Sequence, residues 1–145
     1  MINAIDRSTS IRRPRPSART MAGSLALIGA ALIAVGVVLP WFSLFAGLQP
    51  ISALGTPNGA LLLVGASVAA GLGLLAILIA ATWVRLALTG IGLVLVAFSA
   101  YLVVGLASVY REVSADPLVV AQLGPGLGLV VVGSLAVFAT ALLRD

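Results

Sequence analysis

Between Arg19 and Arg111 the chain carries a single charged residue, Arg85. A soluble domain gives about a quarter of its residues to charge, whereas these 145 residues are 8% charged and 61% hydrophobic. A surface of that composition is solvated by lipid rather than by water. Crossing about 30 Å of hydrocarbon takes roughly 20 apolar residues in a helix. An Arg at the centre of such a helix costs at least about 2.5 kcal/mol on insertion scales. Charges therefore mark the ends of spans. They divide the chain into a basic tail at 1–20, expected to be extended or disordered, and one transmembrane domain at 21–145. The expected fold class is an all-α integral membrane bundle of four transmembrane helices, with spans at about 22–42, 60–83, 86–110 and 125–143.

Local signals set these limits. Arg12-Arg13-Pro14-Arg15-Pro16 disfavours helix, because each Pro lacks an amide donor and restrains the residue before it. The Arg pair resembles the start of a twin-arginine signal. The apolar run that follows is too long for a signal core and lacks an Ala-x-Ala cleavage site, so the first span is expected to be retained. Trp41, after Leu39-Pro40, and Trp83, beside Arg85, stand where interfacial anchors are expected. Residues 43–58 form an uncharged loop, and Asn58 is a candidate cap for the second span. Arg85 is expected in a tight turn between the two middle spans. Arg111, Glu112, Asp116 and Pro117 belong to a second loop, and Pro125 suits the first turn of the last helix.

Four spans put both termini on one side. Arg7, Arg12, Arg13, Arg15, Arg19, Arg85 and Arg144 then lie together, opposite Arg111 alone. By the positive-inside rule the termini are cytoplasmic. The tail is suited to anionic lipid headgroups, each Arg contributing about 1 kcal/mol of attraction. Nucleic-acid binding is not expected, since no folded basic surface with interleaved aromatic residues accompanies the charge. The exclusive use of Arg over Lys, with abundant Ala, Gly, Val and Leu, suggests a GC-rich bacterial genome and a multi-pass protein of its plasma membrane.

Small residues recur at helical spacing: Ala22, Ala26, Ala30 and Ala34 in the first span, and Gly65, Ala69 and Gly73 in the second. Such seams let membrane helices approach closely. Gly124, Gly126 and Gly128 lack the Lys-Ser/Thr of a phosphate-binding loop and are read as close packing around Pro125. Ser24, Ser67, Ser99, Ser108 and Ser134 have no neighbouring base and are read as packing hydroxyls. Phe98 and Tyr101, one turn apart, either pack ordinarily or line a groove for a quinone or lipid. Glu112 and Asp116 are read as a solvated loop, with too few oxygen ligands for a cation. The absence of Cys and His removes thiol chemistry, thiolate metal sites and axial haem ligands. No acid lies inside a span to relay protons. No enzyme activity, cofactor or metal is expected.

Leu39-Pro40-Trp41-Phe42 after a first span with a basic tail, together with Gly124-Pro125-Gly126-Leu127-Gly128 opening the last, resembles the small tryptophan-associated four-span membrane proteins of GC-rich bacteria. The resemblance covers residues 20–145 in architecture. It implies short extracellular strands in the loop from Trp41 and transfers no catalytic residue. The expected function is that of a non-enzymatic structural or accessory subunit, whose partners are other membrane proteins or a second copy. The alternative is a small homo-oligomeric transporter or channel, or a binder of lipid or quinone.

Overall fold

The computed structural model describes residues 18–44, 49–79, 81–114 and 122–143. Arg7, Arg12, Arg13, Arg15, Asp116 and Arg144 lie outside the described residues. Four helices dominate: α1 (Ala18–Val38), α2 (Pro57–Leu78), α3 (Thr82–Ser114) and α4 (Pro125–Ala139), the last extended by a 3₁₀ turn at Thr140–Leu142. All four helical segments are long and apolar enough to cross a membrane. Three short strands, β1 (Pro40–Leu44), β2 (Gln49–Ser52) and β3 (Gln122–Leu123), form an antiparallel sheet in the order β2-β1-β3.

Several helix limits differ from the sequence expectation. Helix α1 already begins at Ala18, inside the segment expected to be extended, and Arg19 is in its first turn. It stops at Val38 rather than near Phe42, because Pro40 cannot continue the hydrogen-bond ladder and Trp41 enters β1. The cap of α2 is Thr56 rather than Asn58: its hydroxyl accepts from the Gly59 amide at 3.1 Å and donates to the Ala53 carbonyl at 2.8 Å. Pro57 at the first helical position needs no amide partner. The turn between the middle helices falls at 79–81, so Trp83 and Arg85 belong to α3 and not to the connection. Arg111 and Glu112 are likewise in the last turns of α3, which runs for 33 residues.

Helix α1 packs mainly on α2 and α4, and α3 closes the bundle against the same two neighbours. Backbones come unusually close. A β-carbon placed on Gly133 of α4 would lie 2.6 Å from the Gly29 carbonyl oxygen, and one placed on Gly126 would lie 2.7 Å from that of Gly36. These contacts are reciprocal and seven residues apart on each helix, as two antiparallel helices with one matching stripe require. Gly23 meets Gly73 of α2 in the same way, with 2.7 Å from a β-carbon at Gly23 to the Gly73 carbonyl oxygen. No buried side-chain nitrogen or oxygen among the described residues lacks a hydrogen-bond partner.

The two ends of the bundle are unlike. At one, Arg85 donates to the Leu143 carbonyl and so ties the start of α3 to a carbonyl that the end of α4 leaves unpaired. The sheet caps the other. Helix α2, with 22 residues, spans about 33 Å, while α3 spans about 50 Å. Gly65 of α2 faces Leu95 of α3, which fixes their antiparallel register. The last dozen or so residues of α3, about 17 Å, therefore continue past the start of α2, alongside the sheet.

Candidate functional site

The sheet end is built from the two motifs that stand apart in sequence. An α-helical Gly36 carbonyl would accept from the amide of residue 40, but residue 40 is Pro and has none. The Trp41 indole takes its place, Nε1 donating to the Gly36 oxygen at 2.7 Å in a buried site. The ring then lies over Gly126, where a β-carbon would stand 2.5 Å from Trp41 Cδ1. The Gly124 amide donates to the Trp41 carbonyl at 2.9 Å, and a side chain at Gly124 would strike the Pro40 carbonyl. Leu39-Pro40-Trp41-Phe42 and Gly124-Pro125-Gly126 thus interlock as one junction. Trp41, expected as an interfacial anchor, is 9% exposed, and its N–H finds a protein partner instead of a wet one. Trp83, at the opposite end, is 58% exposed.

On the other side of Trp41 a groove of about 450 Å³ opens between the sheet, the start of α2 and the far part of α3. Its size falls in the range of about 300–1,000 Å³ typical of small-molecule sites. Trp41, Phe42 and Ile51 form one wall, and Leu102, Leu106 and Val109 form the other. Thr56, Asn58 and Tyr101 supply polar groups at its edge. The Thr56 hydroxyl already donates and accepts within the cap. Among the described residues, the Asn58 amide and the Tyr101 hydroxyl have no hydrogen-bond partner. No carboxylate or cation among the described residues lines the groove. Its described lining can hold a molecule by apolar contact and neutral hydrogen bonds.

Of the other residues singled out by sequence, Ala22, Ala26 and Ala30 are buried and Ala34 is half-buried. A β-carbon on Gly73 would lie 3.0 Å from that of Ala26, while Ala69 is fully buried and Gly65 turns toward α3. The second stripe therefore points between α1 and α3 rather than at one partner. Phe98 and Tyr101 stack with centroids 6.3 Å apart, but only Tyr101 lines the groove; Phe98 packs on the core. Ser99 and Ser134 meet at 2.8 Å between α3 and α4. The Ser134 hydroxyl also donates to the Val130 carbonyl at 2.8 Å. Having one proton, Ser134 must accept from Ser99. Among the described residues no cluster of His, Cys, Asp or Glu could hold a metal ion. The groove residues Ile51, Ser52, Ala53 and Gly105 had no distinguishing signal in the sequence, since no periodicity relates a loop to the end of a distant helix.

Compared with protein-family models, with curated proteins and with solved structures, the chain finds no match.

Proposed function

We propose that this chain is a non-enzymatic accessory subunit of a larger assembly in a bacterial plasma membrane, with both termini cytoplasmic, and that it docks through the outer face of α3. The observation that carries the reading is the packing of that helix. In their most apolar stretches α3 has 22% of its residues buried and α1 has 44%. Gly90, Val94, Ala97, Tyr101, Val104 and Ser108 are all exposed and alternate at three and four residues along α3. That is the spacing of a seam for another helix. Its residues are mostly small or β-branched, as in membrane helix interfaces. The distribution of Arg supports the orientation, and the likeness to tryptophan-associated four-span proteins supports the reading at the level of architecture.

Purification of the intact protein in mild detergent tests the docking. A second subunit, or a second copy, should accompany the chain, and Ala97→Trp in the seam should release it. A chain that runs alone overturns the proposal. A reporter fused after Asp145 checks the orientation, which activity on the external side alone would refute.

A further inference from the structure

We infer that the groove beside Trp41 holds one acyl chain of a glycerolipid from the leaflet at the sheet end, with Tyr101 and Asn58 hydrogen-bonded to its ester carbonyls. The inference rests on the four helices crossing the bilayer; it needs no partner on α3, although Tyr101 stands at the edge of both the seam and the groove. Thr20–Val38, Pro57–Leu78 and Pro125–Leu142 contain 19, 22 and 18 residues. At 1.5 Å per residue each covers about 27–33 Å, matching the hydrocarbon thickness of about 30 Å. The hydrocarbon boundary at the sheet end thus lies near the start of α2. Residue 58 there is level with residue 102 across the hairpin, as the register of Gly65 with Leu95 requires.

Asn58 and Tyr101 consequently stand at the boundary where glycerolipid esters lie, and both are exposed. An amide N–H₂ and a phenolic O–H are donors, and an ester carbonyl accepts but cannot donate. From that level the groove runs along α3 from Tyr101 to Val109, about 12 Å, beside the sheet and beyond the hydrocarbon. An apolar groove in that position is either wetted at a cost or filled by something apolar. The lipid reaches it without leaving the membrane: one chain stays in the leaflet, and the other turns up between Phe42 and Leu106. The described lining carries no charge to pair with a charged headgroup or with the charged side chains of a peptide, and its apolar walls suit hydrocarbon.

The test uses the full chain with Trp83→Phe, leaving Trp41 as the sole tryptophan, in phosphatidylcholine vesicles whose acyl chains carry bromine near mid-chain. The Trp41 ring lies against Gly36 and Gly126 at the sheet ends of α1 and α4, far from mid-chain depth, and is 9% exposed, so mid-chain bromine comes close to it through a chain in the groove. The expected result is strong quenching of Trp41 that falls at least threefold with Gly105→Phe. A β-carbon at Gly105 has nothing within 4 Å and Gly105 lines the groove, so this variant places its ring in the groove without a backbone clash. Tyr101→Phe should weaken occupancy about two- to tenfold, the range for one lost hydrogen bond. Quenching that is absent, or that Gly105→Phe leaves unchanged, overturns the acyl-chain site; unchanged quenching with Tyr101→Phe overturns the carbonyl contact. Flotation with vesicles after an alkaline wash separates this failure from the other one: a chain that does not float refutes the membrane reading itself.

Discussion

The diagonal helices α1 and α3 face the same two neighbours but meet them differently. Helix α1 touches α4 backbone to backbone at Gly29 and Gly36, and α2 at Gly23. Helix α3 relies more on side chains, with Val84, Leu88 and Leu95 buried, and on the hydroxyl pair of Ser99 with Ser134; its one such backbone approach is Gly92 against Phe138. In lipid no hydrophobic effect drives helices together, so close approach and dispersion have to do it. Helix α1 therefore forms the fixed centre, whereas α3 keeps an exposed face and the far wall of the groove.

The largest test of this contrast compares glycines. Gly133→Leu would drive a side chain into the Gly29 carbonyl, 2.6 Å from its first carbon, and into Ile33, whose Cγ1 is 2.8 Å and whose amide nitrogen is 3.0 Å away. A loss of about 3 kcal/mol, the upper part of the overpacking range, is expected. A β-carbon at Gly90 on α3 has nothing within 4 Å, so Gly90→Leu should cost no stability and, by removing a helix-interior glycine, gain up to about 1 kcal/mol. Unfolding of the purified variants in mixed micelles measures both, and equal losses would erase the distinction between the two helices.

A smaller effect is expected at the end of α1. Trp41→Phe keeps an aromatic ring against Gly126 but orphans the Gly36 carbonyl, a loss of about 1–3 kcal/mol for an unmet buried acceptor. The indole stands in for an amide that Pro40 lacks, so Pro40→Ala should recover part of the loss in the double variant. Thermal unfolding of the four members of that cycle gives the coupling. Simple additivity would show that the indole caps nothing.

Much of the architecture was legible because charge and length act locally. Arg85 as the lone interior charge located the hairpin, Pro125 located the start of α4, and the apolar runs gave four spans. The hairpin turn was misplaced by a few residues because composition does not distinguish Leu78 from Trp83, while Arg85 gains a carbonyl partner by joining α3. Glycine pairing was only half visible. The four-residue stripes drew attention, yet the contacts between α1 and α4 use a seven-residue interval, 29 to 36 and 126 to 133, that becomes meaningful only when both helices are considered together. Trp41 illustrates the remaining gap. Its position after a helix suggested an interfacial ring, and the missing amide of Pro40, present in the sequence, was the clue to its inward turn. The groove was least legible, because it depends on how far α3 outruns α2.

The smallest expected effect concerns the polar contact between α3 and α4, and its sign is informative. Ser134 gives its proton to Val130 and accepts from Ser99, so Ser134→Ala removes the acceptor from a buried donor. Ser99→Ala leaves the bond to Val130 in place. Each variant loses the bond between the helices, about 0.6 kcal/mol on average, and Ser134→Ala should be the costlier because it also leaves Ser99 without its acceptor. A freed Ser99 can turn to a carbonyl of its own helix one turn back, as Ser commonly does, which keeps the loss small. A costlier Ser99→Ala would reverse the assigned direction of the bond. If the predicted order holds, α3 is attached by contacts its own backbone can replace, whereas α1 has no such substitute where Gly29 meets Gly133; α3 is then the helix able to shift when its outer face or its groove is filled.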